Sequence, residues 1–128
     1  MDPLYKAILH DHYQNPRHRG ELSVADFNSY QHNPSCGDSI SFQGTVNEHN
    51  QLTNIAFNGT GCVISQATAS LLSEHVLNKS IEYIQTLDTK HILDLIGIKL
   101  GPTRLRCALL SLEALQQGIS LHSERKTP

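Results

Sequence analysis

The alternation of hydrophobic and polar positions divides the first half of the chain into one helix and three strands. From residue 3 to residue 14 the apolar side chains recur at helical spacing, and Asn15 and Pro16 follow as a stop signal. Residues 24–32, 40–46 and 52–58 instead alternate with a period of two, the pattern of strands buried on one face. Short polar connections between them predict an antiparallel meander.

The second half of the chain has helical spacing throughout. The predicted helices cover residues 62–76, 81–87, 89–96 and 102–118. Ser80 is the expected cap of the second of these helices, and Gly118 is the expected stop of the last. Strands followed by helices indicate an α+β fold, with a three-stranded antiparallel sheet and helices packed on one face. We expect a single domain over residues 1–128, with a polar tail at 120–128.

Composition narrows the functional classes. The chain has 128 residues, of which 38% are hydrophobic and 17% charged, as in ordinary globular domains. Its net charge of −2 gives no basic face for nucleic acid, and the low aromatic content with no tryptophan offers no stacking platform for bases. No run approaches the ~20 apolar residues of a membrane span, and residues 1–4 do not resemble a signal peptide. We therefore expect a cytoplasmic protein with neither nucleic acid nor membrane as partner.

Three cysteines and one aspartate are the candidate chemical groups. Cys36 and Asp38 are two residues apart, so their side chains lie on the same side of an extended chain. Cys62 opens a predicted helix, where the dipole favours a thiolate, and Cys107 lies beside Arg106 in the second turn of the last helix. An odd number of cysteines excludes a fully paired disulfide framework, which leaves metal binding or thiol chemistry.

The alternative for each thiol on its own is a buried structural cysteine. The spacing contains no Cys-x-x-Cys pair, so it matches no zinc-finger rule. The eight histidines are scattered, and we expect exposed polar side chains rather than ligands. Residues 17–20 form a short basic turn, interpreted as a solvated helix exit, with a partner-docking patch as the alternative.

Four segments together resemble a known family. They read DHYQNPRHRG at 11–20, NPSCGD at 33–38, GTGCVISQATASLL at 59–72 and LGPTRLRCALL at 100–110. In this order and spacing they are similar to the U-type iron–sulfur scaffold family, which includes IscU, the N-terminal domain of NifU, and SufU. The resemblance extends over residues 4–118 and implies the IscU and NifU N-terminal fold.

The resemblance implies a site and partners. The ligands of a metal ion or cluster would be Cys36, Asp38, Cys62 and Cys107, and the three cysteines would be candidate acceptors of persulfide sulfur. The implied sulfur donor is a cysteine desulfurase of the IscS, SufS or NifS type, and the implied recipients are apo forms of iron–sulfur proteins.

Three functions follow from this site. The first is a scaffold that builds a transient [2Fe–2S] cluster, and the second is a zinc-dependent sulfurtransferase of the SufU type. The third is a zinc-stabilised interaction domain without sulfur chemistry. Four ligands suffice for a cluster or for one tetrahedral zinc, so whether the chain acts as a carrier or as an enzyme stays open at this point.

Two departures from IscU bear on this choice. Arg106 stands where IscU proteins carry a histidine, and arginine cannot ligate a metal. The IscU stretch Leu-Pro-Pro-Val-Lys reads LGPTR at residues 100–104, which argues against handover by an Hsp70-type chaperone. Both departures are SufU-like, yet the chain lacks the extra segment that zinc-dependent SufU proteins carry between the second and third cysteines.

Overall fold

The computed structural model describes residues 3–35 and 37–126 and has the predicted α+β architecture. In chain order the elements are α1 (Pro3–Gln14), β1 (Phe27–Asn33), β2 (Asp38–Val46), β3 (Leu52–Thr60), α2 (Val63–Val76), α3 (Ile81–Gln85), α4 (Thr89–Ile96) and α5 (Pro102–Lys126). The strands form one antiparallel sheet in the order β1-β2-β3. The predicted cap is also present, since the Ser80 side chain accepts the Tyr83 N–H at the start of α3.

The core lies between one face of the sheet and helices α2 and α5. On β2 the alternation predicted from the sequence holds, because Ile40 and Phe42 are fully buried and pair with residues of β3. Phe42 lies opposite Phe57 in the register, and their rings pack at 6.1 Å between centroids. Buried side chains of α2 and α5, among them Leu72 and Leu115, cover this face. This arrangement places the ends of β2, β3 and α2 close together.

The first strand starts later than predicted. It begins at Phe27 rather than at residue 24, because the preceding segment crosses the polar face of the sheet. Gly20 donates its N–H to Phe57 on β3, Leu22 to the side chain of Gln43 on β2, and Asp26 to the carbonyl of Gly44. The backbone N–H groups of this segment therefore donate hydrogen bonds to β2 and β3, and the segment does not extend β1.

The expected helix stop at Gly118 is wrong, since α5 continues through it to Lys126. A Cβ atom at residue 118 would lie 2.5 Å from Cδ1 of the buried Phe27 and 3.2 Å from Cβ of Ser29. Glycine is required here because β1 passes very close to the helix. The polar segment 120–126 is accordingly helical, and the remainder of the predicted tail lies outside the described residues.

The basic turn after α1 is tied to the rest of the fold. Arg17 forms an ion pair with Asp11 and donates its backbone N–H to Ser70 on α2 at 2.8 Å. Arg19 donates to the carbonyl of Gly59 near the end of β3. Both arginines therefore help to hold the turn against the rest of the fold, and the alternative of a partner-docking patch stays a prediction.

The contact between α1 and α2 includes a buried histidine. His12 Nδ1 lies 2.7 Å from the hydroxyl oxygen of Ser70, and His12 Nε2 lies 3.4 Å from Glu74. Burial, together with the charge of Arg17, lowers the pKa of His12 below its ordinary value of 6.5. The unfolded chain therefore binds a proton at this residue more readily than the folded protein does.

We expect the free energy of unfolding to fall as the pH decreases from about 6.5 through the lowered pKa of His12, because the proton then favours the unfolded state. Denaturant unfolding between pH 5 and 8 measures this slope, and His12→Gln should reduce it. His49→Gln, at a largely exposed histidine, is the matched control and should leave the slope unchanged. If His12→Gln left the pH dependence of the free energy of unfolding unaltered, the assignment of that dependence to His12 would be contradicted.

None of the helices in the described part of the chain combines the length and apolar character needed to cross a bilayer.

Candidate metal centre

Asp38 is held at the start of β2 by the turn that follows β1. Asn33 and Asp38 pair across the two strands, so a tight connection joins them. Asn33 organises this turn, because its carbonyl accepts the Gly37 N–H at 2.9 Å and its side chain accepts the Ser35 N–H at 3.1 Å. The Asp38 carboxylate is fully buried and is directed toward the end of β3.

Gly61 allows Cys62 to approach this carboxylate. Its φ is +139°, and a Cβ atom there would lie only 2.0 Å from Asp38 Oδ1. The Cys62 N–H donates to Asp38 Oδ1 at 2.8 Å, and the Cys62 thiol donates to Oδ2 at 3.5 Å. The glycine directly before Cys62 is the signal in the sequence for this close approach.

Cys62 is the N-cap residue of α2, as the sequence predicts. Its side chain makes no capping hydrogen bond to the helix, and its Sγ faces Asp38 instead. The residue is exposed to solvent and is not in a disulfide. It therefore combines a position at the positive end of a helix dipole with access from outside.

Cys107 comes from the second turn of α5 and is buried, with 3% of its surface exposed. Arg104 and Arg106, which both precede it in the sequence, line different cavities. Arg104 lines a groove together with Cys62 and Cys107, whereas Arg106 lines a smaller cavity with His32 and Pro34.

The structure brings three of the four predicted ligands together. One ligand atom each from Asp38, Cys62 and Cys107 lies within 4.8 Å of the other two. Within residues 3–35 and 37–126, this is the cluster of metal-ligating side chains that could hold an ion, and it contains no histidine. Cys36, the fourth predicted ligand, lies outside the described residues.

The donor set fits a tetrahedral metal. Zinc–sulfur bonds of about 2.3 Å and zinc–oxygen bonds of about 2.0–2.2 Å place neighbouring ligand atoms roughly 3.5–3.8 Å apart. The separation of 3.5 Å between Cys62 Sγ and Asp38 Oδ2 already has this value. The Cys62 N–H orients the carboxylate, because it holds Oδ1 and leaves Oδ2 beside the sulfur. Two thiols and a carboxylate in this arrangement suit zinc or an iron–sulfur cluster.

Comparison with known proteins decides the family. The family model for the NifU-like N-terminal domain matches residues 4–128. The chain belongs to this family. This NifU-like N-terminal domain is 33% identical to the zinc-dependent sulfurtransferase SufU of Bacillus subtilis. The match covers 94% of this chain and 92% of that protein.

Scaffold proteins are equally similar. The domain is 32% identical to the iron–sulfur cluster assembly scaffold protein IscU of Buchnera aphidicola from Acyrthosiphon pisum, over 95% of this chain and 97% of that protein. In three dimensions it superimposes on the N-terminal part of a NifU-like protein from Brucella abortus with a TM-score of 0.77. That match covers 96% of each chain at 18% identity, so it supports the fold alone. The expected fold and family are thereby confirmed, while both expected functions remain represented among the relatives.

Proposed function

We propose that this protein is a scaffold for iron–sulfur cluster assembly. It receives sulfur from a cysteine desulfurase, binds iron, builds a transient [2Fe–2S] cluster and passes that cluster to apo-acceptor proteins. The observation that carries the proposal is the convergence of Asp38, Cys62 and Cys107 within 4.8 Å. The similarity to IscU proteins supports the same role. Cys36, next to Gly37 in the chain, is the proposed fourth ligand.

The three cysteines are the proposed entry point for sulfur. A thiolate attacks the outer sulfur of the donor's persulfide, the donor's S–S bond breaks, and the donor cysteine leaves as a thiolate. Cys62 is exposed and can meet an incoming sulfur directly, whereas Cys107 is buried and is reached through the groove beside it. The same side chains then serve as ligands for iron.

Asp38 is the proposed exit point for the cluster. A carboxylate is a harder ligand than a thiolate and exchanges more readily at a sulfide-rich cluster. In this structure Oδ1 is hydrogen-bonded to the Cys62 N–H, so the carboxylate keeps a partner when Oδ2 leaves the cluster. That retained bond lowers the cost of release, since a buried carboxylate without partners is unstable.

We expect Asp38→Ala and Asp38→Cys to give clusters that last longer and transfer more slowly than the parent's cluster. The measurement is the decay of visible absorption after reconstitution, followed by the rate of transfer to an apo-ferredoxin. Asp94→Ala, at an exposed carboxylate on α4, is the matched control and should behave like the parent. Transfer from the Asp38 variants at the parent's rate would contradict the role of Asp38 in release.

A zinc-dependent sulfurtransferase is the second candidate. The similarity to SufU of Bacillus subtilis favours it, and so does Arg106, an exposed residue that lines a cavity separate from the groove of Cys62 and Cys107. If zinc is resident, Asp38, Cys62 and Cys107 would hold it, and one of the chain's own cysteines would accept the sulfur. One tightly bound zinc per chain, with stimulation of a desulfurase but no labile sulfide, would support this candidate. A desulfurase unaffected by the protein would leave only the zinc-stabilised interaction domain.

A further inference from the structure

The antiparallel sheet has one covered edge and one free edge. Strand β3 is covered, because Gly20 donates its N–H to the Phe57 carbonyl and Phe57 donates its own N–H to the His18 carbonyl. Strand β1 lies at the other edge, and within residues 3–35 and 37–126 no backbone-to-backbone hydrogen bond joins residues 28–32 to any element except β2. Every second residue of β1 therefore directs its N–H and C=O groups away from the sheet.

Strand β1 has none of the features that usually protect such an edge. Natural edge strands carry charged side chains, proline or a bulge. Residues 27–33 contain no Lys, Arg, Asp, Glu or Pro, and they pair with β2 without a shift in register. Tyr30 lies at the middle of the strand, is 60% exposed, and stacks on His32 with 6.3 Å between the ring centroids. An added strand would meet free backbone groups and an exposed aromatic surface.

Charged side chains of α5 flank the two ends of this edge. Arg106 and Glu113 line a cavity at the end of β1, together with His32. Glu124 and Arg125 line a second cavity at the start of the strand. All four charged side chains are exposed, and none of them forms an ion pair with another residue that the structure describes. Each end of the edge thus offers one cation and one anion to a partner.

A two-fold axis makes these two ends complementary. When two identical strands pair antiparallel, the end of one strand lies beside the start of the other. Arg106 of one copy then faces the Glu124 side of the second copy, and Glu113 faces the Arg125 side. A foreign strand would have to supply this charge pattern separately, whereas a second copy of the chain supplies it by symmetry.

We propose that β1 is a self-association surface, on which two copies of this chain pair their β1 strands antiparallel about Tyr30. The two three-stranded sheets then form one continuous sheet. Tyr30 packs against its counterpart across the two-fold axis, and Asn28 of each copy lies opposite His32 of the other. Aromatic cross-strand pairs stabilise such a contact.

The two metal centres stay apart in this dimer. Asp38 follows the turn after Asn33, so the centre of each copy lies at the end of its own β1. Antiparallel pairing places these strand ends on opposite sides of the dimer, and the two copies share no ligand. The dimer should therefore form with or without metal, and it is compatible with either a scaffold or a sulfurtransferase.

The test is sedimentation velocity of the full chain, with zinc and after chelation, from about 10 to 500 μM, a range in which small interfaces associate. We expect a dimer fraction that rises with concentration and does not change when metal is removed. Tyr30→Lys places two ammonium groups beside the two-fold axis, so it should weaken dimerisation at least about tenfold. Asn54→Lys, at an exposed position on β3, is the matched control and should dimerise as the parent does. All variants should retain the parent's circular dichroism.

A second pair of variants tests the register. Asn28→Lys combined with His32→Glu puts opposite charges face to face across the two strands, so it should tighten the dimer about threefold or more at low salt. Asn28→Lys combined with His32→Lys puts like charges there and should weaken the dimer.

A parent protein that stays monomeric up to about 500 μM would overturn the proposal. A dimer that tolerates Tyr30→Lys, or one that dissociates when metal is removed, would overturn it as well. A monomeric parent that binds a desulfurase and loses that binding in Tyr30→Lys would also overturn it, because the edge would then receive a strand of another protein.

Discussion

Gly61→Ala is expected to weaken metal binding strongly while leaving most of the fold in place. Its φ of +139° is unfavourable for alanine, and the added Cβ would lie 2.0 Å from Asp38 Oδ1 and 2.9 Å from Asp38 Cα. Relieving this collision must separate the carboxylate from Cys62. We expect the free energy of unfolding of the metal-free protein to fall by about 1–3 kcal/mol. Zinc affinity should fall by about a hundredfold, the upper end of what altered ligand orientation costs.

Gly20→Ala separates backbone strain from the collision. Gly20 has a similar φ of +147°, but a Cβ there meets no atom within 4 Å. Chemical unfolding and zinc titration against a chelator compare the two variants. Gly20→Ala should show a stability loss with unchanged zinc affinity. Equal zinc affinity in the parent and in Gly61→Ala would show that the approach of Gly61 to Asp38 does not shape the metal centre.

Cys107→Ser is expected to have the second large effect. Serine keeps the size of the side chain but replaces a soft thiolate with a hydroxyl that is a poor ligand for zinc or an iron–sulfur cluster. We expect zinc affinity to fall at least about a hundredfold and the variant to retain no cluster after reconstitution. Metal and sulfide content per chain, measured after gel filtration, gives the result.

Ser111→Ala is the matched control for Cys107→Ser. Ser111 is fully buried one turn further along α5, and its hydroxyl bonds only weakly, at 3.4 Å, to the Ala108 carbonyl. This variant changes a buried polar group on the same helix without removing a ligand, so it should load metal as the parent does. Full loading of Cys107→Ser would return Cys107 to the alternative of a buried structural cysteine.

The sequence could predict the elements whose signals are local. Helix α1 begins with a proline in its first turn and is followed by Asn15 and Pro16. These signals define its ends, and its observed bounds agree with the predicted ones. Helix α4 has a capping box at Asp88 and ends before Gly97, so its bounds also follow from neighbouring residues. The alternation on β2 indicated which face is buried, since it depends only on the period of a strand.

The features that sequence reasoning missed depend on distant contacts. Gly118 was predicted to end α5 because glycine commonly follows the last turn of a helix. Its actual role is to let β1 pack closely against α5, and a close approach between two elements leaves no pattern in the neighbouring sequence. Phe27 starts β1 because the segment before it bonds across the sheet to residues such as Phe57. The engagement of Arg17 with Asp11 and Ser70 could not be predicted either, because Ser70 belongs to a different helix.

For the site, the sequence identified ligand types and the structure supplied their geometry. Cysteines are few enough in this chain that each was a candidate, and Asp38 and Cys62 do come together with Cys107. The groove on Cys62 and Cys107 was not foreseen, because Lys6 and His10 come from α1 whereas Arg104 comes from α5. Its basic character depends on how α1 and α5 both pack against α2, which no spacing rule describes.

The most direct test is the composition of the protein after anaerobic purification and reconstitution with iron, cysteine and a desulfurase. Iron, zinc, acid-labile sulfide and visible absorption are measured on the parent and on Cys107→Ser. A scaffold should contain equal amounts of iron and labile sulfide, with charge-transfer absorption in the parent that Cys107→Ser lacks. One zinc per chain with no labile sulfide, retained under desulfurase turnover, would contradict the scaffold function.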